Sequence, residues 1–360
     1  MTEQVSKQRP IQQFFMKTLN GMAYGFFATL IIGVIIDQIG KLFMISAITT
    51  PIYQALSTAM GIGIGIGIAL SLKLDGIKMV VVAAMGAVAT AFTIRFGQDP
   101  WIALPAYGRP GNPLTVYLVV VLGYLLMNLI LKKKTNFDIL LIPLIGVVIS
   151  GVLTFIISFP VDWLTTTISD FVAFSAQQQP IVTSILVAVI MGMLLTAPIS
   201  SAAIAILISL NGTAAAAALV GCTAQMIGFA VQSARKNNIA TVISVGLGTS
   251  MLQFKNIIKK PVIWLPTIIA SAILSPIFYL IYQPVFTTLD VNLKFGAGMG
   301  SSGLVGQIVF IGAYGYDSWV GWIFILSTIA APLLLVWLMD VIFIKFNIYQ
   351  AEDLIIEHKI

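Results

Sequence analysis

The chain has 360 residues, 59% of them hydrophobic and 9% charged, with 19 basic and 13 acidic side chains giving a net charge of +6. An average soluble domain carries roughly 25% charged residues, so the composition excludes an ordinary water-covered surface and suits lipid as solvent. The single cysteine, Cys222, and the single histidine, His358, exclude an internal disulfide and a cysteine or histidine metal cluster. The basic excess fits membrane loops better than nucleic acid.

A helix needs roughly 20 apolar residues to cross a hydrocarbon core about 30 Å thick. Such runs predict an all-α polytopic membrane protein, one membrane domain over 1–360, with about ten transmembrane helices. The first, Gly21 to Ile36, follows a polar stretch with Lys7, Arg9 and Lys17 and precedes further spans, so it reads as a retained helix and not a signal peptide. Next come Leu42 to Leu72, Ile77 to Ile94, Leu114 to Leu131 and Ile139 to Phe159. Ile181 to Leu210, Ala214 to Gln232, Ile239 to Phe254, Val262 to Ile281 and Trp319 to Ile344 complete the set.

Two of these runs exceed one straight crossing and carry breakers. Leu42 to Leu72 contains Pro51 and the alternating Gly61, Gly63, Gly65 and Gly67, and Ile181 to Leu210 contains Pro198 within TAPISSAAIAI. An open strand in lipid would leave backbone groups unpaired, so kinked or broken helices are expected. Between spans, Gln98 to Pro113 reads as an outer interfacial cap. Pro160 to Pro180, with Trp163, Phe171 and Phe174, reads as either an interfacial amphipathic helix or a connecting loop.

With the N-terminus inside, thirteen basic residues, among them Lys73, Lys132, Lys260 and Lys345, fall on the cytoplasmic side. Six, namely Lys41, Arg95, Arg109, Arg235, Lys236 and Lys294, fall on the other, which predicts a multi-pass protein of the cell membrane with both termini cytoplasmic. A duplication is also expected, with halves 42–160 and 181–284. Gly123 and Gly246 each precede a lysine and a proline at equal spacing, and Leu74 to Gly76 echoes Leu210 to Gly212. Four crossings per half would give both halves one orientation; an inverted pair would need a different span count.

The run GAGMGSSGLVGQI, Gly296 to Ile308, is too rich in glycine for a straight lipid-facing helix. A re-entrant segment over 295–314 is expected there, its turn offering backbone N–H groups with Ser301 and Ser302; close packing through small residues is the other reading. In TAPISSAAIAI, Thr196, Ser200 and Ser201 can re-pair the carbonyls that Pro198 frees. Gln225, Gln307 and Asn128 lie in apolar runs and must find partners away from lipid. The candidate substrate-binding set is Thr90, Thr196, Ser200, Ser201, Gln225, Gly298, Gly300, Ser301, Ser302 and Gln307, with Thr90 chosen because it lies in the first half near where Gln225 lies in the second. Hydroxyls and amides suit an uncharged polyol; they also serve as interhelix glue. Asp37 and Asp340 read as interfacial anchors, and His358 as a solvated tail residue. No P-loop, HExxH, dinucleotide fingerprint or metal ligand set is present, so no cofactor, metal or catalytic residue is expected.

On GAGMGSSGLVGQI, TAPISSAAIAI and the N-terminal NGMAYG at Asn20 to Gly25, the chain resembles the EIIC-like permeases of the phosphotransferase system, in the second EIIC group, which includes a proposed regulator of perfringolysin. The resemblance covers nearly the whole chain. It implies a permease domain working by alternating access, often a homodimer, that receives a small-molecule sugar and releases it after a separate cytoplasmic phosphotransferase component phosphorylates it. The chain departs from well-known sugar permeases in lacking an intramembrane histidine and the GITE-type acidic motif. A membrane-embedded sensor with a permease fold, binding ligand without net transport, is the alternative.

Overall fold

The computed structural model describes residues 10–43, 45–93, 104–105, 111–131, 137–199, 201–208, 210–287, 294–315 and 317–356. Helix α1 (Pro10–Phe26) runs through a π turn at Phe27–Ile31 into α2 (Ile32–Leu42). Helices α3 (Ser46–Thr58) and α4 (Met60–Ser71) meet at a 52° bend. The bend lies at Ala59, while Pro51 stays inside α3. Helix α5 (Gly76–Val88) follows, then a two-residue antiparallel pair, β1 (Phe92–Thr93) with β2 (Leu104–Pro105), within a connection otherwise mostly outside the described residues. Helices α6 (Pro113–Ile130) and α7 (Asp138–Ala176) complete the N-terminal part.

The alternating glycines of α4 form a helix because each pair serves a different face. Positions four apart share a face, so Gly61 and Gly65 meet α5, and Gly63 and Gly67 meet α1. A Cβ on Gly61 would stand 2.2 Å from the Gly86 carbonyl oxygen, and one on Gly25 would stand 2.1 Å from that of Gly63. Backbones this close leave no room for a side chain and pack helices by dispersion where lipid supplies no hydrophobic drive. NGMAYG is the matching face on α1: Gly21 lies against Gly67 and Gly25 against Gly63, so α1 and α4 are antiparallel.

Helix α7 is one helix of 39 residues, about 58 Å long at 1.5 Å per residue. The stretch after Pro160 is therefore neither a separate interfacial helix nor a loop. Hydroxyls return bonds to the backbone there, with Thr165 Oγ1 donating to Val161 O at 2.8 Å and Ser169 Oγ to Thr165 O at 2.8 Å.

The C-terminal part surrounds α10 (Gly212–Ser233), whose apolar window is 94% buried. Helix α8 (Pro180–Thr196) packs parallel to it, Ala188 on Gly221 and Gly192 on Gly221 and Gln225. Parallel packing requires the intervening chain, with short α9 (Ser201–Leu207), to double back, so 180–211 is a hairpin and not a crossing. After α10 come α11 (Ile239–Ile243), a π turn, a 3-10 turn and α12 (Phe254–Lys259). Helix α13 (Leu265–Ile281) runs antiparallel to α10, Gly228 facing Thr267 and Ser271 Oγ reaching Gly221 O at 3.4 Å. Helices α14 (Gln283–Thr287), α15 (Lys294–Ala297), α16 (Val305–Tyr314) and α17 (Trp319–Lys345) finish the fold. Around Phe324 of α17, the rings of Phe278, Tyr282, Phe286 and Phe310 stand 5.4–6.1 Å away and knit α13, α14 and α16 to it.

Among the described residues, six helical stretches are long and apolar enough to cross a membrane, or seven with the bent α3–α4 pair. The expected count of about ten falls because α5 has only 13 residues, 180–211 doubles back, and 239–259 breaks into short turns. The charge assignment changes with it. Lys236 pairs with Glu352 at 2.8 Å and Lys260 with Asp353 at 2.6 Å, so both flanks of 239–259 lie at one end of the molecule, the basic end. Arg235 and Lys236 thus join Lys260 and do not oppose it.

Asp340 is also not a surface anchor. It is 1% exposed, bonded to Arg235 Nε and accepting from Tyr349 Oη at 2.6 Å. Tyr349 in turn receives Gln232 Nε2 at 2.9 Å, and burial, reinforced by the Asp340 carboxylate, holds its hydroxyl above the usual tyrosine range.

Candidate functional site

Three helix breaks converge on the middle of α10. The first is the α8–α9 tip: after Thr196 the backbone turns extended at Ala197, where Pro198 cannot continue the donor ladder. The second is the tip of 239–259, where Gly246 and Gly248 sit in the π turn Ser244–Gly248 and Thr249 caps the 3-10 turn that follows. The third is the glycine-serine run, where Gly300, Gly303 and Leu304 all take positive φ between α15 and α16. Positive φ suits glycine, which lacks the Cβ that crowds the backbone there. Gly296 packs on Val309 and the Gly306 backbone, so 294–314 doubles back on itself.

The serines and threonines of these tips bond one another's backbones. Ser201 Oγ donates to Gly298 O at 2.6 Å, Ser301 Oγ to Gly246 O at 2.6 Å and Ser302 Oγ to Gly248 O at 2.8 Å. Thr196 Oγ1 and Ser250 Oγ stand 2.8 Å apart, joining the first tip to the second. Gly298 lies against the Ser201 carbonyl and Gly300 against Cys222 of α10; at either place a Cβ would fall within 3 Å of backbone. Thr196 Oγ1 donates to the Gly192 carbonyl one turn back within α8, at 3.3 Å, and Ser201 serves the neighbouring hairpin, so neither of these bonds goes to the Leu194 carbonyl that Pro198 was expected to free.

Gln225 of α10 is fully buried beneath these tips. Its Oε1 accepts from Trp264 Nε1 and from Thr267 Oγ1, each at 2.8 Å, and Thr196 Oγ1 lies 3.4 Å away. Its Nε2 has no partner among the described residues. Gln307 Nε2 donates to Thr223 Oγ1 at 3.0 Å, leaving Gln307 Oε1 unpaired. Buried unpaired amide atoms cost free energy unless water or a ligand meets them, which makes these two atoms notable.

Helix α1 closes the arrangement from the N-terminal part. Its π turn lies beside the tips, with the Phe27 ring against Gly248, and Ile35 of α2 rests on Gly303. Between them is a cleft of about 50 Å³, lined by Phe26, Leu30, Ile199, Ser201, Thr249 and Ser302 among others. Ligand pockets usually measure about 300 Å³ or more, so the cleft is closed to anything much larger than water. Both π turns, at Phe27–Ile31 and Ser244–Gly248, flank it; π turns recur at functional sites because they re-aim backbone carbonyls.

Of the ten candidate residues, Thr196, Ser201, Gln225, Gly298, Gly300, Ser301, Ser302 and Gln307 gather at this convergence. Thr90 does not: it lies in the turn just past α5, wedged against Gly61 and Gly111, with its hydroxyl on Ala87 O at 2.9 Å. Ser200 lies outside the described residues. Sequence reading missed Gly246, Gly248, Thr249 and Ser250, because 239–254 looked like an uninterrupted apolar span, and Thr267, one hydroxyl inside the span Val262 to Ile281. The small-residue stretch GLGTS, which repeats the glycine-and-serine character of 296–302, was the available signal. Among the described residues, no group of three His, Cys, Asp or Glu side chains could hold a metal ion.

The family described as phosphotransferase system, EIIC matches the chain over residues 16–356. No curated protein matches it.

Proposed function

Since the chain belongs to the phosphotransferase system EIIC family, we propose that it is a permease that carries a small neutral polar solute, a sugar or related compound, by alternating access through the cleft between α1 and the three tips. The convergence of the tips carries this reading. Broken helices place backbone groups and small hydroxyls away from both ends of the molecule, where a transporter must hold its substrate. Two hairpins, 180–211 and 294–314, reach in from the end near Phe286, where Gly212 lies against the Phe286 carbonyl, and 239–259 reaches in from the basic end. Opening one set while the other stays shut is alternating access. The basic end faces the cytoplasm in this reading, and the return of Arg235 and Lys236 to it widens the asymmetry that orients membrane proteins. A separate phosphotransferase component would meet the solute there.

The cleft lining has no charged side chain among the described residues, which favours an uncharged ligand, since an ion would lack a counter-charge in a dry site. The hydroxyls of Ser201, Thr249 and Ser302 are the side-chain donors and acceptors that the lining offers. The test is thermal stability of the purified protein against sugars, sugar phosphates and small organic acids. A neutral sugar at a hundred times its dissociation constant should add about 2.7 kcal/mol, and Ser302→Ala with Thr249→Ala should remove that gain together with uptake into vesicles. No shift with any sugar would sink the substrate class. A shift without uptake would favour a ligand sensor built on the same fold.

A further inference from the structure

Beyond the last long helix, the chain folds back across hairpin 239–259. The Leu354 carbonyl accepts from Asn237 Nδ2 and from Gln253 Nε2, each at 2.9 Å, and the Ile355 carbonyl from Asn256 Nδ2 at 3.0 Å. Ile356 N donates to Asn237 Oδ1 at 2.8 Å. Glu352 pairs with Lys236 just before the hairpin, and Asp353 with Lys260 just after it. Leu354 and Ile356 are buried in a cluster with Phe229, Val245, Leu252 and Ile257. At the root of the segment Tyr349 is fully buried, donating to Asp340 and receiving from Gln232.

The hairpin has little to hold it by itself. Its helices α11 and α12 have 5 and 6 residues, joined by π and 3-10 turns, far below the length at which a helix is stable alone. The polar side chains of its outer leg, Gln253 and Asn256, are bonded to the C-terminal segment, while its tip supplies Thr249 and Met251 to the cleft. One short peptide thus ties down both flanks and one leg of the element that separates the cleft from the basic end.

We propose that residues 346–356 form a latch: seated, they keep hairpin 239–259 shut, and their release opens the path from the basic end to the cleft. The latch rests on the cleft being the ligand site, and its test is independent of transport. In a Cys222→Ala background, Ser250→Cys places one thiol at the hairpin tip, and its reaction with a membrane-impermeant maleimide is timed from each face of sealed vesicles. Adding Asn237→Ala and Asn256→Ala removes three bonds to the segment and should speed labelling about tenfold, from the basic face only. Amide hydrogen exchange should rise over 239–260 and not over α10. Charge reversal Lys236→Glu should act in the same direction, and adding Glu352→Lys should restore protection. An unchanged labelling rate overturns the latch. So does a rise equal from both faces with faster exchange in α10, which would mean general loosening of the fold. Uptake of a labelled sugar does not enter the readout, so loss of the permease reading would leave the latch standing as a gate on a cleft of other use.

Discussion

At the scale of single residues, the glycines of α1 and α4 show how a cost becomes a contact. Each glycine in a helix interior costs about 1 kcal/mol relative to alanine. In exchange the backbones of α1, α4 and α5 approach to distances no side chain permits. The spacing of Gly21 with Gly25, of Gly61 with Gly65 and of Gly63 with Gly67 was legible; which face met which helix was not, because spacing names no partner. Gly25→Ala should lower stability by about 2 kcal/mol, since its Cβ would fall 2.1 Å from the Gly63 oxygen and force two helices apart. Gly151→Ala in α7 is the control: nothing lies within 4 Å of that Cβ, so stability should hold or rise by up to about 1 kcal/mol. Thermal unfolding of both purified variants reads the contrast, and equal losses would refute the packing argument.

At the scale of elements, the chain's apolar runs divide into those that cross and those that return. Helices α6, α10 and α17 are continuous, and their sequence limits agree with the observed ones within a few residues. The runs at 181–210 and 239–254 have similar hydropathy but are interrupted by Pro198 in the first and by Gly246 and Gly248 in the second. The interruption was visible in the first and overlooked in the second, and neither reveals direction after the break. The turns Leu74–Gly76 and Leu210–Gly212 do share a conformation. Gly76 and Gly212 have φ of +52° and +49°, and the amides of Leu74 and Leu210 each donate to a carbonyl five residues back at 2.9 Å. The first turn lines a cleft with Asp138, at the start of α7, and the second turn lines another with Gln177, just past its end. We propose that the two turns are equivalent positions of a duplication whose halves have opposite orientation. In a Cys222→Ala background, Lys236→Cys and Lys260→Cys should both be labelled by an impermeant thiol reagent from one face of sealed vesicles, and Gln177→Cys from the other. Labelling of the two lysine positions from opposite faces would make 239–259 a crossing after all.

At the scale of the whole molecule, the two larger of three apolar clusters among the described residues form separate cores, one around α4 and α5 and one around α10. They meet at the cleft where Phe27 covers Gly248 and Ile35 covers Gly303. A cleft of about 50 Å³ cannot hold a sugar, so the proposed path for a sugar through it requires the two parts to separate there. Joining Phe27→Cys to Gly248→Cys with a short bifunctional thiol reagent, in the Cys222→Ala background, should stop uptake into vesicles, and cleaving the linker should restore it. Uptake that survives the link would place the path elsewhere.

The sequence by itself determined the helical membrane class, two of the three helix breaks at the site, and most of the hydroxyls and amides that gather there. These follow from composition and local backbone chemistry: apolar length sets a span, proline removes a donor, and glycine admits positive φ. Only the tertiary structure decided that two of the apolar runs return, that Arg235 reaches in from the surface to the buried Asp340, that Thr90 stands apart, and that the C-terminal segment holds a hairpin. A hairpin and a crossing have the same hydropathy and the same period. What separates them is where each broken backbone group finds its partner, and those partners lie tens of residues away in the chain.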